Sequence, residues 1–420
     1  MKITIVTTLF PPEIGGAVHL IYELARSLND FGHKVHILTG FPHYNIKPLR
    51  TRASNKLIVK EYIGNLQVTR LRFPYFSARN KIVKGLQHLN FGFWLAVLTL
   101  FSSRSDVILT FSPPLPVPWL VCWIGKLRHI PVVVSIQDLF PLEAVELGML
   151  SNPMAIRIFE KMEYQMAANA TGLTVHSPGN IKHIVKHGGH AGCIDVVYNW
   201  VDPTRIKPKP KLNSFAQNYK LTDLFVVSYA GTMGWAQDMM TIVKSAALLR
   251  DEPKIVFLLV GDGVEKQKAQ EEGKRLKLQN IVWLPMQPWR VYPEILASSN
   301  LSMINLHPSL KTPVVPSKLI SIMAAARPVI ACLPAESDAR KIIDKAGCGL
   351  CVDAGDAKAL STAIIELSSN PELAKQLGHK GRIYMESNFA RSVCTRKMEA
   401  VLILARRKSK YFTSKHSLLL

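Results

Sequence analysis

Residues 3–16 read ITIVTTLFPPEIGG, an apolar run rich in β-branched residues that leads into a loop with two adjacent glycines. Apolar residues then recur along one helix face, at Val18, Ile21, Ala25 and Leu28. Residues 225–234, FVVSYAGTMG, repeat this order of strand, glycine loop and helix about 220 residues further along. Two such openings indicate two doubly wound α/β domains.

Short apolar runs alternate with helical patterns through both halves of the chain. The first half has predicted strands at 3–9, 35–39, 107–110, 132–136, 173–176 and 194–198. The second half has them at 225–230, 255–260, 281–284, 301–304 and 328–331. Buried strands separated by helices indicate parallel sheets covered on both faces. We therefore expect an α/β protein of two Rossmann-like domains facing a central cleft, where open α/β sheets bind ligands.

Prolines and basic residues mark the boundary between the halves. Residues 202–212, DPTRIKPKPKL, contain three prolines and four basic residues, a composition typical of an extended linker. The sequence predicts an N-terminal domain over 1–201 and a C-terminal domain over 213–385. A helix and a basic tail over 386–420 complete the predicted organisation.

Composition narrows the possible partners and compartments. The 420 residues include 52 Lys plus Arg against 30 Asp plus Glu, so the net charge of +22 predicts anionic partners. A hydrophobic fraction of 48% excludes a largely disordered chain. The six cysteines are too few for a disulfide scaffold and suit a reducing compartment. The sequence shows no signal-peptide pattern and no continuous membrane span, so we expect a soluble or peripheral protein.

A basic and aromatic stretch could form a surface patch. Residues 47–104 contain eleven Lys or Arg and one acid, Glu61. Such a mixture fits an anionic membrane surface, and a nucleic-acid groove needs similar residues. A buried helix explains the apolar run at 91–101 equally well. The candidate membrane patch comprises Arg79, Lys81, Lys84, Phe91 and Trp94.

Three stretches could bind a phosphate. The glycines at 15–16 and 231–234 each lie between a strand and a helix, where backbone N–H groups can approach an anion. A tight turn explains these glycines equally well. Residues 316–318, Pro-Ser-Lys, precede a helix, and a lysine there opposes the helix dipole unless an anion binds. A solvated lysine is the alternative.

Polar residues follow the predicted strand at 132–136. Gln137 and Asp138 come at its carboxyl end, and Glu143 and Glu146 follow shortly after. Any of the three acids could act as a general base. Glu143 and Glu146 could equally be acids that stabilise a helix start through the dipole.

Three histidines repeat at helical spacing, but they do not make a strong metal motif. His183, His187 and His190 fall at i, i+4 and i+7, without an acid placed as the base of a zinc hydrolase. We favour a polar helix face and predict no metal site. The sequence also lacks a DxD triplet, which weakens the case for a metal-dependent enzyme of the single-domain type.

Seven stretches in this order resemble the retaining glycosyltransferases of family four, which have the GT-B fold. They are FPPEIGG (10–16), GHKVHILTG (32–40), VVVSIQDLFP (132–141), VYNWVD (197–202), YAGTMG (229–234), FLLVGDG (257–263) and VPSKLISIMAAARPVIA (315–331). The resemblance covers nearly the whole chain. The QDLFP and VPSK forms resemble the bacterial branch that builds colanic acid, O-antigen and capsule.

The resemblance implies transfer of a hexosyl or N-acetylhexosaminyl group, with retention, from a nucleotide sugar, expected to be UDP-linked. The expected acceptor is a growing glycan, such as a polyprenyl-diphosphate-linked one, at the cytoplasmic face of the inner membrane. The 1–201 domain would bind the acceptor and the 213–385 domain the donor. No cofactor, metal or nucleic acid is expected.

The positions of individual residues, taken together with the resemblance, give them expected roles. Asp138 is the expected acid–base residue, and Gln137 could only donate or accept hydrogen bonds. The expected donor-binding residues are Gly15, Gly16, Gly231, Thr232, Ser317, Lys318 and Leu319.

The chain departs from the family pattern at five positions. Pro313 and Ser321 replace two glutamates eight residues apart, Ala326 replaces a glycine, Gln237 a lysine and Gln137 a histidine. These departures keep two alternatives open, a non-catalytic GT-B subunit that binds a partner and a GT-B sugar-nucleotide epimerase. A nucleic-acid binder is the weakest alternative.

Overall fold

The computed structural model describes residues 1–13, 15–42, 56–74 and 81–417, without the side chains of 81–84 and 409–417. The chain divides into two compact units. The first unit combines Met1–Val145, Leu150–Tyr198 and the chain from Cys394 onward. The second unit combines Glu146–Met149 with Asn199–Val393.

Among the described residues, the first unit contains an eight-stranded sheet with the order β3-β4-β2-β1-β5-β6-β7-β8. Its strands are β1 (Lys2–Val6), β2 (Lys34–Gly40), β3 (Ile58–Ile63), β4 (Leu66–Leu71), β5 (Val107–Ser112), β6 (Val132–Ile136), β7 (Gly172–Val175) and β8 (Ile194–Val196). Neighbouring strands are parallel except for β3 and β4, which form an antiparallel hairpin at one edge. The helices are α1 (Gly16–Asp30), α2 (Lys81–Leu100), α3 (Pro116–Leu127), α4 (Leu142–Glu146), α5 (Pro153–Asn169) and α6 (Asn180–Lys186).

The described part of the second unit contains a six-stranded parallel sheet with the order β11-β10-β9-β12-β13-β14. Its strands are β9 (Phe225–Ala230), β10 (Ile255–Val260), β11 (Ile281–Leu284), β12 (Leu301–Asn305), β13 (Val329–Leu333) and β14 (Gly349–Asp353). The helices are α7 (Ser214–Asn218), α8 (Met239–Leu248), α9 (Lys266–Arg275), α10 (Tyr292–Ser298), α11 (Ser317–Ala324), α12 (Asp338–Ala346), α13 (Ala357–Ser369) and α14 (Pro371–Asn388).

The last helix, α15 (Arg391–Ser417), returns to the first unit. His33 Nε2 lies 2.7 Å from the Glu399 carboxylate, and Asp106 forms an ion pair with Arg406 at 3.3 Å. These contacts fix the end of the chain to the unit that contains its beginning.

The prediction of two doubly wound α/β domains is confirmed, since neighbouring strands in both units are parallel apart from the β3–β4 hairpin. The sequence analysis missed strands β3, β4 and β14. β3 and β14 are edge strands with mostly exposed or half-buried residues, so they lack the continuous apolar run of a buried parallel strand.

Candidate active site

The side chain of Lys318 runs over the glycine that follows β9. A Cβ built on Gly231 would stand 2.4 Å from Lys318 Cε and 3.1 Å from its Nζ. Gly231 has a φ of +142°, a conformation that side chains other than glycine rarely adopt. The glycine therefore makes the space in which the lysine lies.

The surroundings of the Lys318 ammonium determine what it could bind. Within the described residues no carboxylate forms an ion pair with it, and its Nζ lies 4.9 Å from the centre of the Tyr229 ring. The side chain is half-buried, and desolvation by the surrounding protein lowers the pKa of Lys318 to about 8. An unpaired cation in the first turn of α11 is a favourable position for an anionic ligand.

The N–H groups of the second glycine loop are mostly used inside the protein. Gly231 N–H donates to the Val260 carbonyl at 2.9 Å, and Gly234 N–H donates to Gln237 Oε1 at 2.9 Å. Thr232 is exposed. The expectation that the Gly231 amide binds the donor is therefore corrected, because this glycine contributes space and not a hydrogen-bond donor.

The start of α11 separates the three predicted residues of the Ser-Lys-Leu stretch. Ser317 is exposed at the first helical position, and no side chain caps the helix. Leu319 is fully buried, and its N–H donates to the Pro316 carbonyl at 3.0 Å. The prediction for Leu319 is corrected, since its side chain packs in the core and its amide already has an acceptor.

Gly15 and Gly16 lie at the start of α1 in the first unit. α1 begins at Gly16, and no side chain caps it at Gly15. The first N–H groups of a helix have no acceptor within the helix. No described atom lies within 4 Å of the position where a Cβ of Gly16 would be. Both features suit an anion at this end of α1.

Asp138 and His176 follow neighbouring parallel strands at the same edge of the first sheet. Ile136 at the end of β6 pairs with Val175 at the end of β7. Asp138 is an exposed residue, yet desolvation by the surrounding protein raises the pKa of its carboxyl and outweighs the lowering by the charge of His176. His176 itself is buried. The sequence analysis missed His176, although its place directly after a strand next to β6 was a usable signal.

The other polar residues after β6 have local hydrogen bonds. Gln137 Nε2 donates to Ser135 Oγ at 3.0 Å. Glu143 Oε1 accepts a hydrogen bond from Leu139 N–H at 2.9 Å, which supports the interpretation of Glu143 as an acid at a helix start. The Asp138 side chain accepts no hydrogen bond from the described residues.

Glu146 belongs to the second unit and is also engaged. Its Oε2 accepts hydrogen bonds from the N–H groups of Lys311 and Thr312, each at 3.0 Å, and from the Thr312 hydroxyl at 2.6 Å. Three donors on one oxygen explain its position without a catalytic role. Of the three candidate acids, Asp138 is the exposed one, whereas Glu143 and Glu146 are half-buried and accept hydrogen bonds.

Ser321 stands at the position of the second family glutamate, half-buried within α11. A serine hydroxyl can donate or accept a hydrogen bond, but it carries no charge.

The predicted membrane patch needs correction. Arg79 and the side chains of Lys81 and Lys84 lie outside the described part of the chain. Phe91 is only 5% exposed and packs edge-on against Phe73, with ring centres 5.2 Å apart, while Trp94 is half-buried. Phe91 is a core residue of α2, which agrees with the alternative prediction of a buried helix at 91–101.

A different face of α2 is exposed. Leu86, Leu89 and Phe93 are 54%, 41% and 56% exposed, and their spacing places them on one side of the helix. Across the ranges that the structure describes, no helix is both long enough and apolar enough to span a bilayer.

Two family models match the chain in succession. Residues 15–200 match the glycosyl transferase 4-like domain, and residues 211–384 match the glycosyl transferases group 1. Their matches follow the order of the two sheets along the chain.

Two curated relatives align with most of the chain. WcaI of Escherichia coli (strain K12), assigned by its name to colanic acid biosynthesis as a glycosyl transferase, is 22% identical over 375 residues, covering 87% of this chain and 91% of WcaI. WbjE of Pseudomonas aeruginosa, named as a glycosyltransferase, is 23% identical over 340 residues, covering 78% of this chain and 82% of WbjE.

Solved structures share the fold at lower identity. The crystal structure of Anabaena Alr3699/HepE in complex with UDP has a TM-score of 0.74 and 15% sequence identity, covering 96% of this chain and 99% of HepE. Another crystal structure of HepE contains UDP-glucose. At this identity the likeness shows the fold alone.

Proposed function

We propose that the chain is a glycosyltransferase that transfers a sugar from a UDP-linked nucleotide sugar to a growing bacterial surface glycan. The matches of residues 15–200 and 211–384 to two glycosyl transferase family models support this activity. The UDP and UDP-glucose complexes of HepE support this donor class. The name of WcaI supports a surface polysaccharide as the product. Retention at the anomeric carbon and transfer of a hexosyl or N-acetylhexosaminyl group follow from the resemblance of the sequence motifs.

The single observation that carries the proposal is the unpaired ammonium of Lys318 at the start of α11. A donor diphosphate supplies the anion that the described residues do not provide. The exposed Ser317 and Thr232 offer further hydrogen bonds next to this lysine and its glycine. Lys318 then stabilises the charge on the departing nucleotide, so the transfer would proceed without a metal ion.

Asp138 is the proposed acid–base residue of the first unit. Its raised pKa makes the ionised carboxylate a better proton acceptor for an acceptor hydroxyl. His176 beside it would tune that basicity, and Gln137 would contribute hydrogen bonds only. The donor phosphate is the alternative proton acceptor.

The proposed acceptor is a glycan on polyprenyl diphosphate, and the proposed location is the cytoplasmic face of the inner membrane. The exposed side chains of Leu86, Leu89 and Phe93 on α2 support membrane contact, together with the basic residues at 81 and 84 of the same helix. An anionic membrane surface is therefore the proposed partner, and nucleic acid is not.

The test is a thermal-shift panel of UDP-, GDP-, ADP- and dTDP-sugars, followed by a turnover assay with the sugar that gives the largest shift. We expect a UDP-sugar to raise the melting temperature most and to release UDP when the lipid-linked glycan is present. A panel without any shift would contradict the proposal.

A non-catalytic subunit is the second candidate, because Pro313 and Ser321 stand where the family often has glutamates. It would bind a nucleotide sugar without releasing the nucleotide. A sugar-nucleotide epimerase would instead convert the donor in the absence of any acceptor. The same turnover assay separates the three activities.

A further inference from the structure

Three side chains outside the candidate active site form a compact cluster on the first unit. Glu163 lies on α5, His183 on α6 and His187 directly after α6. One ligand atom of each side chain lies within 4.8 Å of those of the other two. His183 Nε2 is 2.9 Å from Glu163 Oε1, and the two imidazole rings stack with centres 4.0 Å apart.

The Glu163 carboxylate is buried and only partly satisfied. Its side chain is 3% exposed, and no described residue donates a hydrogen bond to its Oε2. Burying a carboxylate oxygen without a hydrogen-bond partner destabilises the fold, because the desolvation free energy of the charged group is not compensated. A cation at this position would remove that penalty.

The hydrogen bond of His187 leaves a ring nitrogen free to bind such a cation. Its Nδ1 lies 2.9 Å from the backbone carbonyl oxygen of His183. A carbonyl can only accept, so Nδ1 carries the proton and Nε2 carries the lone pair. Metal-binding histidines are commonly oriented by such a bond from the other ring nitrogen to a carbonyl.

We propose that Glu163, His183 and His187 bind a transition-metal ion of the Zn²⁺ class. Two imidazoles and one carboxylate are a known zinc ligand set, whereas Mg²⁺ and Ca²⁺ prefer oxygen ligands. Tetrahedral bonds of about 2.0–2.1 Å place ligand atoms about 3.3 Å apart, so no pair in the cluster has to close by more than about 1.5 Å. The metal replaces the proton between His183 and Glu163, which is released on binding.

The site is separate from sugar transfer and joins α5 to α6. The sequence analysis noted the histidine spacing but not Glu163, because the glutamate lies 20 residues before His183. His190, the third histidine of that pattern, is exposed and outside the cluster. It provides a matched control within the same segment.

The full chain is first stripped of metal with a chelator. The visible absorption spectrum after addition of Co²⁺ and the Zn²⁺ affinity from equilibrium dialysis are then measured. The wild-type protein should bind one ion at the cluster and show the visible bands of a low-symmetry Co²⁺ site. Metal binding should weaken at least tenfold in each of three variants, His183→Ala, His187→Ala and Glu163→Gln. Even substitution of residues that only orient metal ligands typically lowers metal affinity ~10–100-fold. His190→Ala should bind as the wild type does, and excess Mg²⁺ should not compete.

Melting curves show whether a variant that has lost metal affinity is still folded. In chelator, each variant must melt cooperatively before its metal affinity is interpreted, and Zn²⁺ should raise the melting temperature of wild type and His190→Ala only. Equal Zn²⁺ affinity in wild type and His187→Ala would overturn the proposal. A wild-type protein that shows no Co²⁺ bands would also overturn the proposal. The cluster would then be an ion pair in which a proton lies between His183 and Glu163.

Discussion

Lys318 occupies the space that a side chain on Gly231 would need, because a Cβ there would stand 2.4 Å from Lys318 Cε. The two residues are 87 positions apart in the sequence and form one structural unit. In the proposed donor site, the contribution of Gly231 is therefore the space it leaves for the lysine, since its N–H group is already bonded to Val260.

Gly231→Ala should weaken donor binding although residue 231 donates no hydrogen bond to the ligand. The new methyl group displaces the lysine, and the φ of +142° adds strain of about 1–3 kcal/mol. Calorimetry with UDP-glucose and a melting curve measure the two effects. Gly192→Ala is the control, because no described atom lies within 4 Å of its Cβ position. Unchanged affinity in Gly231→Ala would show that the lysine does not depend on the glycine.

Lys318→Ala should weaken binding of the nucleotide sugar by roughly 1–3 kcal/mol, the contribution of a hydrogen bond to a charged group. That corresponds to roughly 5- to 150-fold in Kd. The fold should persist, because the ammonium has no carboxylate partner among the described residues. Lys311→Ala is the matched control, since this nearby lysine is largely exposed and lies 3.9 Å from Glu336. Equal affinities in the two variants would remove Lys318 from the site.

Donor affinity should fall as the pH rises above about 8. The pKa of Lys318 is lowered to about 8, so the free protein holds the charged form below that pH and loses it above. Binding of a diphosphate above pH 8 then requires uptake of a proton, and Kd should rise toward tenfold per pH unit. Calorimetry between pH 6 and 9 measures the slope. Lys318→Ala should give a flatter profile, and parallel profiles would contradict the assignment.

Asp138→Asn should abolish most sugar transfer and leave nucleotide binding nearly intact. Loss of a general base typically costs ~10²–10⁴ in rate, and asparagine keeps the shape of the side chain. A turnover assay and calorimetry on the same preparation measure both properties. Glu143→Gln is the control, because glutamine can still accept the Leu139 N–H hydrogen bond. More than about a tenth of wild-type turnover in Asp138→Asn would point to the donor phosphate as the base.

Replacing Leu86, Leu89 and Phe93 together by serine should reduce binding to vesicles of anionic phospholipid. These side chains are exposed on one face of α2, where they can enter the membrane interface. Binding of the wild-type protein should also weaken in 1 M salt, because the Debye length falls to about 3 Å and charge attraction is screened. Co-sedimentation measures the bound fraction. Leu248→Ser is the control, because this exposed leucine lies on α8 of the second unit. A wild-type protein that ignores anionic vesicles would exclude the membrane role.

Charge reversal at Arg79, Lys81 and Lys84 tests the basic part of the same prediction. Acidic residues at these positions should repel anionic lipid and lower the bound fraction at low salt. The effect should vanish on neutral vesicles. A loss of binding to neutral vesicles as well would indicate a folding defect in α2.

The sequence predicted those features that depend on local pattern. It located β6 at 132–136 with Asp138 beyond its end, because a buried parallel strand is a continuous apolar run. It also predicted the helix α11 from the apolar spacing after Pro316, but it placed Ser317 and Lys318 before the helix, whereas α11 begins at Ser317. The parallel sheets of both units followed from the alternation of such runs with helices.

Features that depend on tertiary contact were not predicted. The run at 91–101 is apolar on every side, so the sequence did not show that Phe91 faces the core and Phe93 faces outward. The contact of Lys318 with Gly231 and the placement of Asp138 and His176 after neighbouring strands bring together residues that are far apart in the sequence. The sequence showed which residue types are present, but which of them lie close together depends on the order of the strands in each sheet.

The return of α15 to the first unit has a consequence for biosynthesis. His33 bonds to Glu399 across 366 positions, and a Cβ on Gly172 of β7 would lie 3.7 Å from Val401. The ribosome makes the whole second unit between these partners. The unit that is synthesised first is therefore completed last, and a chain cut after Tyr198 would lack the α15 residues that approach β7. We expect that a stable first unit expressed alone needs the segment from Cys394 onward joined to it.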